Sequence, residues 1–337
     1  MSAMQEKNAT IIFFGTSEFA LHSLDALIRN GWAPIAVVTK PDEPAGRKQI
    51  LTPPPVKEWM MNYELGITNQ ESRIKNQERR IQIFQPERLD QSFKDKIVTL
   101  EADLFIVAAY GKIIPKEILA IPRLGALNIH PSLLPRWRGP SPIQFAILNG
   151  DQETGVTIMQ IDEELDHGPI VANNKAQIAS NRTTYLELYG ILAKMGAELL
   201  IEMLPKWIQG EIEPIPQDDI KATYSKILKK DDGRINWSRS AEEIERMVRA
   251  YTPWPSAWTM WPTEKIYRIR IDEAEGEKDE SPFGSPGYLW QAQDASLLVK
   301  TGRGSIRVVR LTIEGKNMLR ADEFLHGHPE IIGTTFV

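Results

Sequence analysis

The chain has 337 residues, 42% hydrophobic and 25% charged, a globular balance with room for two domains. It contains no cysteine, which excludes disulfides, thiol nucleophiles and cysteine-ligated zinc. The formal charge of −5 excludes a globally basic nucleic-acid footprint: residues 1–220 carry 22 basic and 28 acidic side chains, residues 221–337 carry 18 and 17.

No apolar run approaches the ~18–20 residues of a membrane-spanning helix. Residues 1–10 are polar and contain Glu6, without the apolar centre of a signal peptide or the Arg-rich character of a transit peptide. A cytoplasmic monomer is the expectation. The N-terminal part alternates strand and helix patterns. Residues 10–14 form a buried-type strand, and Gly15-Thr16-Ser17-Glu18 a turn leading into a helix with a Ser or Thr cap. Phe19, Leu21, Leu24, Leu27 and Ile28 then recur at helical spacing. A strand follows over 33–39, a proline-rich loop over 40–55, a helix over 54–63, and strands over 81–84 and 103–109. Such alternation predicts a mainly parallel, doubly wound sheet with helices on both faces.

Between the second helix and third strand, Asn69-Gln70-Glu71-Ser72-Arg73-Ile74-Lys75 is nearly repeated as Asn76-Gln77-Glu78-Arg79-Arg80-Ile81-Gln82. Two heptads are too few for a coiled coil, so the pair reads as a solvated helical extension. Farther on, 183–210 is a long amphipathic helix closed by Gly210. The extended, proline-containing stretch 211–221 reads as a linker. A helix over 241–250 and short strands over 257–261, 266–271, 287–290, 296–300 and 305–311 suggest a small C-terminal β-barrel.

The chemistry concentrates in Asn128-Ile129-His130-Pro131-Ser132-Leu133-Leu134-Pro135-Arg136-Trp137-Arg138-Gly139-Pro140-Ser141-Pro142-Ile143-Gln144. An apolar run over 124–127 reads as a short strand that delivers Asn128 and His130 to one face at its end. A third polar candidate, Asp166, closes an acidic loop before Gly168-Pro169. Two hydrogen-bond donors and a carboxylate beside an imidazole suit acyl transfer to an amine. Each part also has a plainer reading. A lone strand-end histidine is more often structural, and an acidic loop reads equally as a solvated turn or a cation site. Ser132 lacks the Gly-x-Ser-x-Gly elbow of a serine nucleophile. The five histidines show no ligand spacing, so no metal is expected.

The run from Asn128 to Ile143 resembles the signature of the 10-formyltetrahydrofolate-dependent formyltransferases. Stretches around Phe14-Gly15-Thr16, Pro41-Asp42-Glu43-Pro44-Ala45-Gly46-Arg47, Ala109-Tyr110-Gly111 and Thr154-Gly155-Val156-Thr157 agree. The match continues in Ile235-Asn236-Trp237 and Pro253-Trp254-Pro255, and the Pro41 to Arg47 loop with the C-terminal part carrying Pro253-Trp254-Pro255 favours the branch acting on initiator methionyl-tRNA. The resemblance implies a formyltransferase-type α/β domain over 1–210, a linker over 211–221 and a tRNA-binding, oligonucleotide-binding-type barrel over 222–337. It implies Asn128, His130 and Asp166 as the catalytic set, with Ser132, Leu133, Leu134, Pro135, Tyr110, Gly111 and Ile113 at the site of the co-substrate 10-formyltetrahydrofolate. It implies Arg47 and Lys48 as tRNA contacts. Glu43 stands where the family often has arginine, an acid that lowers the attraction for phosphate. Sugar-nucleotide N-formyl transfer, 10-formyltetrahydrofolate hydrolysis and non-catalytic tRNA binding are the alternatives.

Overall fold

The computed structural model describes residues 9–46, 48–64, 81–178, 182–278 and 284–337. The duplicated heptads fall outside the described residues except for Ile81 and Gln82. The first of two compact units takes in the described residues of Met1–Gly139, Glu153–Gln177 and Tyr189–Tyr224. The second takes in those of Pro140–Gln152, Ile178–Leu188 and Ser225–Val337. Residues 211–221, linker-like in composition, therefore fold as part of the first unit.

In the first unit, β1 (Ile11–Gly15) leads through α1 (Glu18–Arg29) to β2 (Ala36–Val38). A hairpin of β3 (Glu43–Ala45) and β4 (Ile50–Thr52) interrupts the stretch expected as loop. Then come α2 (Pro55–Glu64), β5 (Gln82–Phe84), α3 (Gln91–Val98), β6 (Leu104–Ala108), α4 (Lys116–Leu119) and β7 (Ala126–His130). After α5 (Pro142–Leu148), which belongs to the second unit, β8 (Glu153–Gln160), β9 (Ile170–Gln177) and α6 (Tyr185–Ile208) follow. The sheet order is β5-β2-β1-β6-β7-β8-β9. Its first five strands are parallel and β8 and β9 run antiparallel. β1 and β6 are buried along their whole lengths, as strands covered on both faces must be. Ile12, Phe14, Phe105, Val107 and Tyr110 form the core on one face together with Phe93 of α3.

The expected cap of α1 takes a different form. Ser17 occupies the cap position without a side-chain cap bond, and the free amide of Phe19 instead donates to the Tyr189 hydroxyl at 2.6 Å. A phenol from a distant helix thus satisfies a donor that the local sequence leaves over.

The second unit pairs its strands antiparallel. α7 (Ala241–Tyr251) begins with a capping box in which Ser240 and Glu243 satisfy each other's backbone amides. Then follow β10 (Ala257–Pro262), β11 (Ile266–Glu277), β12 (Leu289–Gln291), β13 (Leu297–Lys300), β14 (Ser305–Ile313), β15 (Leu319–Arg320) and α8 (Ala321–Gly327), the strands in spatial order β10-β11-β14-β13-β12 with β15 on β14. The C-terminal residues close this path into a ring. Val337 exchanges backbone bonds with Met260 of β10 at 3.0 Å, while Leu289 N donates to Thr334 O and Phe336 N to Gly287 O, both at 2.9 Å. The expected small barrel is present, sealed by the last four residues.

Candidate active site

β1 and β6 are sheet neighbours, yet the chain leaves them toward opposite edges. Such a switch point opens a crevice at the carboxyl ends of the strands. The two loops there are tied together: Thr16 Oγ1 donates to Tyr110 O at 2.8 Å. Tyr110 turns its ring into the core, edge-on to Phe14 at 5.4 Å, and burial pushes its phenol up to about 12. Tyr110 as a whole is buried, while Ala109 and Gly111 on either side are exposed. Ala109 and Gly111 are both left-handed, at φ 42° and 76°, just past β6. Beyond them Ile113 is 93% exposed.

Asn128 and His130 sit two residues apart on β7 and share a face with Thr157 and Met159, their partners on β8. The left-handed Asp166, at φ 48°, brings a carboxylate to both. Asn128 Nδ2 lies 3.4 Å from Asp166 Oδ1, and His130 Nδ1 lies 3.6 Å from Asp166 Oδ2. The amide of Gly139 donates to the same Oδ2 at 2.8 Å. His130 is 4% exposed, and its Nε2 stands 3.0 Å from Trp137 O. A carbonyl can only accept, which assigns the proton to Nε2 and leaves Nδ1 as the nitrogen that faces Asp166.

The loop after β7 is held by a residue that sequence reasoning had not singled out. Thr157 Oγ1 donates to Ser132 O at 2.7 Å and accepts from Leu134 N at 3.1 Å. Ser132 Oγ donates to Arg136 O at 2.6 Å, a structural use of the hydroxyl. Leu133 packs over Gly155, where a Cβ would lie 2.6 Å from its Cδ2. Ser132 and Leu134 are buried, while Leu133 and Pro135 are half-buried. The two arginines of the loop part ways. Arg136 stacks over the Trp137 ring at 4.5 Å, whereas Arg138 is buried. Only the recurrence of Thr157 two residues past Gly155, on a strand opposite His130, could have signalled its role.

Arg47 lies outside the described residues. Lys48 is exposed on the turn of the β3–β4 hairpin, a separate two-stranded sheet rather than the β6 and β7 ends. Lys57 Nζ, at 2.7 Å, and Gln85 Nε2, at 2.7 Å, anchor Asp42 at the base of that hairpin. The hydrogen bond from Gln85, then that from Lys57, holds the Asp42 carboxyl below its ordinary range. Among the described residues no group of three histidine or acidic side chains is arranged to hold a metal.

A formyl transferase family pattern matches residues 7–204, and a formyl transferase C-terminal domain pattern matches residues 227–329. The chain belongs to the formyl transferase family. It is 42% identical over 325 residues to a methionyl-tRNA formyltransferase of Chloroflexus aggregans, covering 95% of this chain and 98% of that one. It is 39% identical over 319 residues to a methionyl-tRNA formyltransferase of Myxococcus xanthus, covering 94% and 95%. Among solved structures, the family fold recurs in an N-formyltransferase of Helicobacter canadensis, bound to folinic acid and dTDP-3-aminofucose. That match has a TM-score of 0.61 at 17% identity and covers 89% and 99% of the two chains. The tetrahydrofolic acid complex of HypX from Aquifex aeolicus matches with a TM-score of 0.59 at 17% identity, over 96% of this chain and 48% of that one.

Proposed function

We infer that this formyl transferase moves the formyl group of 10-formyltetrahydrofolate to the α-amine of methionine on initiator methionyl-tRNA, giving N-formylmethionyl-tRNA for translation initiation. The observation that carries the chemistry is the convergence of the Asn128 amide, the His130 imidazole and the Asp166 carboxylate at the end of β7. Near full-length identity with methionyl-tRNA formyltransferases supports the acceptor.

The residues fit a flat, hydrogen-bonding donor molecule. The β6 end offers exposed backbone at Gly111 beside the apolar Ile113, and the β7 loop offers Leu133 and Pro135. In the proposed mechanism Asn128, with protonated His130, donates to the formyl oxygen as negative charge builds there. Asp166 takes the proton that the attacking amine gives up, and the folate nitrogen regains one as its bond to the formyl carbon breaks. Ser132 and Leu134 act from beneath by shaping the loop, and Tyr110 through its backbone. Arg47, together with Lys48 on the hairpin turn, contacts the tRNA acceptor end, and the barrel that follows cradles the tRNA body. The domains of the proposal are the formyl-transferring part up to 210 and the tRNA-binding part from 222. The acting species is a single chain in the cytoplasm, where charged tRNA is supplied.

The deciding measurement is formyl transfer from 10-formyltetrahydrofolate with three acceptors: charged initiator tRNA, charged elongator tRNA and an amino-sugar nucleotide. The reading expects strong preference for the first. Preference for the sugar nucleotide, or formate release unaffected by any acceptor, would overturn it. Arg47→Ala is expected to weaken tRNA binding and reduce its salt slope by about one, with folate binding intact. An unchanged slope removes Arg47 from the phosphate contacts.

A further inference from the structure

The stretch after α6 has the composition of a linker but laces onto both loops of the site. Ile215 exchanges two backbone bonds of 2.8 Å with Ile170, docking beside the start of β9. Farther along, Thr223 Oγ1 accepts from Trp137 N at 2.9 Å, Thr223 O accepts from Arg138 N at 2.9 Å, and Thr223 N donates to Pro135 O at 3.2 Å. Between these two attachments lies Gln217. Its Nε2 donates to Asp166 O at 2.9 Å and to Gly168 O at 2.8 Å, and its Oε1 accepts from Arg138 Nε at 3.0 Å. The amide orientation is fixed by its partners, since carbonyls only accept and a guanidinium only donates. Arg138 is buried and is held in turn by Asp219 Oδ1 at 2.7 Å and by the Tyr224 hydroxyl at 3.3 Å.

We propose that Gln217, locked by Arg138, is a positioning residue that holds Asp166 in register with Asn128 and His130. The physical need is local. Asp166 has a left-handed backbone that a non-glycine residue adopts only at an energetic cost, and such a conformation persists only when its surroundings over-determine it. Gln217 supplies two of those restraints, on the carbonyls of Asp166 and of Gly168. Arg138, which orients Gln217, also sits one residue before Gly139, whose amide holds the Asp166 carboxylate. The proposal rests on the reading of Asp166 as a proton-handling group.

Gln217→Ala and Gln217→Glu separate positioning from packing. The glutamate keeps a strong acceptor for Arg138 but cannot donate to the two carbonyls. Both variants are expected to lower kcat for formyl transfer by about 10- to 100-fold, the scale of a small misplacement, with KM for folate and tRNA nearly unchanged. In an Asp166→Asn background, followed by single-turnover kinetics, Gln217→Ala is expected to add less than about a twofold loss, because effects through a shared group do not add. Near-normal kcat in Gln217→Glu, or the full loss repeated in the Asp166→Asn background, overturns the proposal. If Asp166→Asn alone stays near wild type, the functional reading of Asp166 fails. If Asp166→Asn is impaired but Gln217→Ala is normal, only the positioning role fails.

Discussion

At the residue scale, the chemistry depends on how few polar atoms at the β7 end remain uncommitted. His130 spends Nε2 on Trp137 O, and Ser132 spends its hydroxyl on Arg136 O, leaving Nδ1 of His130 and the Asn128 amide facing Asp166. His130→Ala is expected to lower kcat about 10²- to 10⁴-fold, the usual worth of a general acid–base group, with tRNA binding nearly intact. Activity near wild type would remove His130 from the mechanism. Thr157→Val tests the loop support. It keeps the shape, but Leu134 N loses its acceptor in a buried site. It is expected to destabilise by about 1–3 kcal/mol, read from the denaturation midpoint. Asn128 and His130 were legible because period-two alternation places them on one face. Thr157 was not, because its importance lies in a cross-strand pairing that no local pattern encodes.

At the element scale, the loop carrying Asp166 is the critical piece. Gly168 passes so close to β8 that a Cβ there would lie 1.9 Å from Gln160 O, a backbone atom that cannot swing away. Gly168→Ala is expected to cost about 1–3 kcal/mol as overpacking and to lower the melting midpoint. The same loop holds His167, whose Nδ1 lies 2.6 Å from Asp162 Oδ2. Its pKa is raised by the hydrogen bond to Asp162 foremost, against partial burial, and by the charges of Asp162, Glu164 and Asp219. A histidine with a raised folded value stabilises fully below its ordinary value of about 6.5, and that contribution disappears as pH climbs through the folded value. Wild type is therefore expected to exceed His167→Gln in melting midpoint at pH 5.5, with the gap closing as pH rises above 6.5. A constant gap from pH 5.5 to 9 would sink this assignment. The elements themselves differed in legibility. The buried parallel strands were plain as apolar runs. Most of β9 was hidden because Asn173, Asn174 and Lys175 are exposed at the sheet edge and carry no apolar signal.

At the scale of the whole molecule, the C-terminal barrel depends on its last residues. Phe336 is buried and stacks on Trp237 at 5.8 Å, while its neighbours bond to β10 and β12. Phe336→Ala is expected to cost about 3–5 kcal/mol, measured on the full chain by denaturant unfolding. A loss below 1 kcal/mol would mean that the ring closes without it. From the sequence alone came the alternation of strands and helices, the β-rich C-terminal part, the resemblance to formyltransferases and the candidate residues for acyl transfer. All of these are carried by local periodicity, turn chemistry or a contiguous motif. Only the tertiary structure decided that Tyr189 caps α1, that residues 334–337 seal the barrel, and that Gln217 in a linker-like stretch braces Asp166. The physical reason is common to the three. Each joins backbone groups to partners 45 or more residues away, and such pairings leave no period in the chain that makes them.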